Sequence, residues 1–97
     1  MIEINKEEFN ETIKGEVLVD FSATWCGPCQ MLKPVLEEIS NEREFKIVSI
    51  DVDDNMELAR EYGIITIPCL ILFKDGKEIK RSVGLKTKDD IISMMEE

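Results

Sequence analysis

The chain has 97 residues, 43% of them apolar and 34% charged, and a net charge of −9. That length predicts a single domain over residues 1–97, large enough to bury a hydrophobic core without disulfide or metal staples. The acidic balance, with no basic run, excludes nucleic acid and anionic membrane as expected partners. At the N-terminus, Ile2 and Ile4 alternate with polar residues and predict a short edge strand. Asn5 is suited to cap a helix, and Glu8 stands three residues later as its capping-box partner. Phe9 and Ile13, four apart, give that helix its apolar side over about 6–13, and Gly15 is placed to end it. Residues 16–22 follow as a nearly continuous apolar strand (Val17, Leu18, Val19, Phe21), which suits a central strand covered on both faces. Asp20 is its exception. Met31, Leu32, Val35, Leu36 and Ile39 then recur at helical spacing, predicting a helix over 30–41. Pro34 interrupts it, and one kinked helix is expected rather than two. Residues 45–52 form a second strong strand, 56–62 a short helix stopped by Gly63, and 69–73 a third strong strand. Asp75-Gly76 predicts a hairpin, with 78–83 returning antiparallel. Thr87 caps a last helix, with Ile91, Ile92 and Met95 facing inward. The order βαβαβαββα implies an α/β fold with parallel crossovers and one closing antiparallel pair.

The first residues lack the basic-then-apolar pattern of a signal peptide, and the longest apolar run, 69–73, is far too short to cross a bilayer. The expected compartment is the cytoplasm, where thiols are held reduced. The sequence has three cysteines and no histidine. A closed zinc site wants four Cys or His ligands, so a metal site within one chain is not expected, and Cys–His hydrolase chemistry is absent. Cys26 and Cys29 are separated by two residues, between a buried strand and a helix, which reads as a redox pair. Cys26 falls at the helix N-terminus, where free N–H groups and the helix dipole favour a thiolate. The bland alternative is a structural disulfide. Asp20, if buried without a partner, should titrate high or stay neutral. The alternative there is a carboxylate facing solvent.

The stretch Trp25-Cys26-Gly27-Pro28-Cys29 resembles the active-site motif of thioredoxins. Asp20-Phe21 before it, Pro34 in the following helix, Ile67-Pro68 ahead of the third strong strand, the hairpin at 73–76 and Gly84 extend the resemblance from end to end. It implies a thioredoxin fold, with a central mixed sheet of about five strands flanked by four helices. It also implies a thiol–disulfide oxidoreductase that reduces protein disulfides, with Cys26 as nucleophile, Cys29 as resolving thiol and Asp20 as buried proton acceptor. Gly27 and Pro28 would tune the redox couple. Trp25, Ile67, Pro68, Val83 and Gly84 would form an apolar groove for extended peptide, with Pro68 in cis; an X-Pro bond is otherwise expected to be trans. The resemblance implies no bound cofactor and a monomer. Its partners would be disulfide-containing client proteins and a separate reductase, flavoprotein or ferredoxin-linked. Two rival readings are a thioredoxin-fold scaffold subunit and a disulfide oxidase or isomerase.

Four residues depart from the family's usual pattern. Cys69 replaces a common threonine after the proline. It reads either as a regulatory thiol or, preferably, as a small buried residue of an apolar strand. Ser22 replaces a tryptophan, and Ser49 replaces a lysine near the buried aspartate, which should leave Asp20 harder to ionise. Gln30 replaces a basic residue and should weaken the field supporting the thiolate.

Overall fold

The computed structural model describes residues 1–96. The described elements are β1 (Ile2–Glu3), α1 (Lys6–Thr12), β2 (Glu16–Ser22), α2 (Gly27–Glu42), β3 (Lys46–Asp51), α3 (Met56–Glu61), β4 (Cys69–Lys74), β5 (Lys77–Val83) and α4 (Lys88–Met95). The strands form one five-stranded sheet in the order β1-β3-β2-β4-β5. β1, β3 and β2 run parallel, β4 runs antiparallel to β2, and β5 runs antiparallel to β4. The expected α/β architecture, with a mixed sheet and four helices, is present.

β2 is the middle strand, and its apolar run is explained by burial on both sides. Val17, Val19 and Phe21 face α1 and α3, in a cluster with Phe9, Ile50, Ile71 and Phe73. Leu18 faces the other way, in a cluster with Leu32, Leu36 and Ile39 of α2 and with Ile91 and Met94 of α4. Phe9, Tyr62 and Phe73 meet edge to face on the first side, with centroids 5.4 to 5.5 Å apart. Such pairs add about 0.5–1.5 kcal/mol each beyond the area they bury.

Several expectations shift by a few residues. The apolar period predicts α2 only from residue 30, but the helix begins at Gly27 with Cys26 as its N-cap, in line with the expected place of Cys26 at the helix N-terminus. Pro34 stays inside one helix. α1 closes without Gly15 entering the left-handed region. Ile2 remains exposed, and Ile4, just past β1, is the residue that packs. In α4, Met94 is buried beside Ile91 and Met95, whereas Ile92 is half-buried. Asp75 and Gly76 both have positive φ, 53° and 83°, as a two-residue hairpin turn requires. The Ile67–Pro68 bond is cis, against the general preference for trans and as the resemblance implies. Among the described residues no helix is long and apolar enough to cross a membrane.

Candidate active site

The parallel strands β2 and β3 end at the same rim of the sheet, and β4 starts there. At that rim the chain leaves β2 through Ala23, Thr24 and Trp25 and enters α2. Cys26 caps the helix with extended backbone, φ −89° and ψ 112°. Its Sγ accepts the Cys29 N–H at 3.2 Å. A helix opening has N–H groups without intrahelical partners, and here a sulfur takes one of them. Pro28 lies in the first turn, where its missing donor costs nothing. The two cysteines form a disulfide with their Cα atoms 5.2 Å apart.

Their exposures differ in a way that orders the chemistry. Cys26 keeps 5% of its surface and Cys29 none. Ala23 seals the pair from one side, and Val52 and Ile67 pack against it. The Ile67 carbonyl oxygen lies 3.9 Å from the Cys26 sulfur. A Cβ at Gly27 would meet nothing within 4 Å, so the chain's own packing does not demand glycine there.

Asp20 is fully buried, and neither of its carboxylate oxygens has a hydrogen-bond partner among the described residues. It shares the α2 face of the sheet with Leu18, two residues before it, and it lies opposite Leu70 on β4 and Ser49 on β3. Burial pushes its carboxyl up from the ordinary 3.8 to about 7, and the positive charge of Lys33 on α2 offsets part of that rise. Ser49 therefore stands beside Asp20 without supplying charge, and the cation that reaches it comes from the helix instead.

The remaining candidate residues divide by face and exposure. Trp25 is 70% exposed, and its indole N–H donates to Asp53 at 2.7 Å. Ile67 is half-buried and Pro68 buried. Gly84, with φ 91°, donates its N–H to the Pro68 carbonyl at 2.8 Å, and Val83 beside it is exposed. Of these five, Ile67 packs against the cysteine pair, and Pro68 is joined to Gly84 through that backbone bond. Cys69 is directly opposite Phe21 and packs in the α1/α3 cluster. It is 1% exposed, and burial raises its thiol pKa. It lies on the far side of the sheet from Asp20, away from Cys29. Ser22 is buried at the end of β2.

Three contributors were not anticipated from the chain alone. Gln30 donates its side-chain amide to the carbonyls of Ala23 and Thr24, at 3.2 and 3.4 Å, tying the motif loop to α2. Asp53 holds the Trp25 ring, and Lys33 acts on Asp20. None of the three is signalled by the apolar period, although Lys33 stands four residues after Cys29 on the same side of α2.

The thioredoxin family model matches residues 1–97. A thioredoxin of Chlamydia trachomatis is 49% identical over 94 residues, spanning 95% of this chain and 92% of that protein. A bifunctional thioredoxin reductase/thioredoxin of Mycobacterium leprae is 54% identical over 74 residues, 74% of this chain but 16% of that much longer protein. Among solved structures, a mutant thioredoxin from Halobacterium salinarum superposes with a TM-score of 0.91 at 39% identity, covering 98% of this chain and 87% of that one.

Proposed function

The chain belongs to the thioredoxin family of thiol–disulfide oxidoreductases acting on protein disulfides, and from that premise we propose that Cys26 attacks, Cys29 resolves and Asp20 takes the proton. The observation that carries these roles is the order of burial. Cys26 is at the rim and accepts an N–H, while Cys29 and Asp20 are sealed behind it.

In the reduced protein the Cys26 thiolate attacks one sulfur of a client disulfide. A mixed disulfide forms, and the client's other sulfur leaves as a thiolate that takes a proton from water. Cys29 cannot attack while protonated. Asp20, with a pKa of about 7, is half ionised near neutral pH and can accept that proton. The Cys29 thiolate then displaces the client sulfur from Cys26, which closes the 26–29 disulfide and frees the reduced client. Two electrons from a reductase reopen it. The fused reductase/thioredoxin relative in Mycobacterium leprae supports a separate reductase, flavoprotein or ferredoxin-linked, as that donor. A cytoplasmic setting follows from the reducing direction of the cycle. No bound cofactor enters any step, and the protein acts as a monomer.

The client lies along Ile67-Pro68 as a short added strand, with Trp25, Val83 and Gly84 flanking it. Pairing of a peptide's backbone at the sheet rim suits recognition of extended chain with little sequence preference. The test is trapping. Cys29→Ser should accumulate a mixed disulfide with a disulfide-containing peptide, and Cys26→Ser should form none. Equal behaviour of the two variants would sink the assignment.

A further inference from the structure

Six of the twelve basic side chains fall within residues 74–88, opposed there only by Asp75 and Glu78. Nineteen of the twenty-one acids lie elsewhere. These cations are interleaved with other residues, so no basic run marks them along the chain. The fold gathers part of them. β5 is a free edge of the sheet, and after Gly84 the chain turns toward α4. Between β5 and α4 lies a groove of about 400 Å³, lined by Lys80, Arg81, Ser82 and Lys86 on one side and by Asp90 and Ile91 on the other. Among the described residues Asp90 is the one acid lining it. Arg81 is already matched by Glu78, at 2.7 Å on each of two bonds. Lys86 makes no ion pair among the described residues. In a protein of net charge −9, the stretch 74–88 thus carries four more basic than acidic side chains.

The groove adjoins the redox site. Ser82 and Lys86 each stand two residues from Gly84, whose N–H bonds the Pro68 carbonyl at 2.8 Å. The Ile67 carbonyl is in turn 3.9 Å from the Cys26 sulfur. These two contacts and the two residues from Gly84 to Lys86 put Lys86 within about five extended residues of Cys26.

We propose that this groove receives acidic side chains of the client polypeptide, about five residues from the cysteine under attack. The inference rests on the proposed placement of the client along Ile67-Pro68, and it adds a charge preference to a groove that otherwise reads only backbone. Complementary charge at the rim of an interface mainly speeds and orients encounter, and salt screens it.

The test uses the whole reduced protein and two synthetic peptides, each with one internal disulfide. They are identical except that the residues four to seven positions from the cysteine, on both flanks, are glutamate in one and glutamine in the other. At low salt the glutamate peptide should be reduced with a kcat/KM about fivefold higher, since one or two partly screened pairs contribute that much. The advantage should fall below about twofold at 0.5 M salt. Lys86→Glu should erase it. Lys46→Glu, the same change in net charge on the exposed start of β3, should keep it. Equal rates for the two peptides, or equal losses in Lys86→Glu and Lys46→Glu, overturn the proposal. A protein that reduces neither peptide overturns the underlying client placement, which keeps the two failures apart.

Discussion

Asp20 has no exposed surface and, among the described residues, no donor bonded to either oxygen, so losing its proton in the folded state costs free energy. Its carboxyl titrates at about 7 when folded and near 3.8 otherwise. Between about pH 4 and pH 7 the folded chain holds a proton that the unfolded chain has released. Stability contributed by this group is therefore full below about pH 4, falls as pH rises to about 7, and stays low above that. At 1.36 kcal/mol per unit the whole cost is at most about 4 kcal/mol. Asp20→Asn should raise stability by about 2–4 kcal/mol at pH 8 and by little at pH 4, while slowing release of the mixed disulfide. Urea unfolding of both proteins at the two pH values checks this, and a gain independent of pH would refute it. Cys69 yields a second expectation. Its buried thiol with a raised pKa faces the α1/α3 cluster, so a bridge to Cys29 would require breaking β4. In the reduced folded protein iodoacetamide should leave Cys69 unmodified until urea is added, as read by mass spectrometry; labelling at the rate of Cys26 would restore the regulatory reading. The burial of Asp20 was legible from Val19 and Phe21 on either side of it. The influence of Lys33 was not, because it depends on how α2 docks over β2.

The period of apolar residues made the strands and helices readable one by one. It failed where a residue's role is set by a neighbour outside its own element. α2 starts at Gly27 because a cysteine sulfur replaces the usual side-chain oxygen as the cap acceptor. Met94 turns inward because Leu32 and Leu36 offer it a surface on that side. The pairing of β4 with β5 shifts register between Leu72 and Phe73, a bulge that no turn residue announces. The end of β5 shows what such local geometry contributes. Gly84 holds φ at 91°, a region that side chains other than glycine enter at a cost of about 1–2 kcal/mol. A Cβ there would touch nothing within 4 Å, so the penalty for Gly84→Ala is backbone strain alone. The variant should lose about 1–2 kcal/mol in urea unfolding. If the strain is relieved by moving the loop, the Gly84–Pro68 bond opens and KM for a disulfide peptide rises. Unchanged stability together with unchanged KM would show that the loop tolerates alanine as it stands.

At the scale of the whole chain, the disulfide and the fold are nearly independent. The two main hydrophobic clusters lie on opposite faces of the sheet, and neither includes Cys26 or Cys29. The cysteines are three apart in sequence, so the loop they close is among the shortest a disulfide can form. Chain-entropy reasoning assigns such a loop only about 2 kcal/mol of stabilisation, whereas a domain of this size has about 5–15 kcal/mol in total. Reduction should therefore leave the protein folded, with a cooperative urea transition no more than about 2 kcal/mol below that of the oxidised form. This separation lets the bond serve as cargo. An electron carrier has to present the same docking rim before and after it delivers its electrons, and a bond that held the fold together could not be opened without losing that rim. Unfolding curves of both redox forms, recorded by far-ultraviolet circular dichroism, provide the measurement. A difference above about 4 kcal/mol, or a reduced form without a cooperative transition, would mean that the disulfide is structural and would turn the cycle proposed for Cys26 and Cys29 against the stability of the protein that performs it.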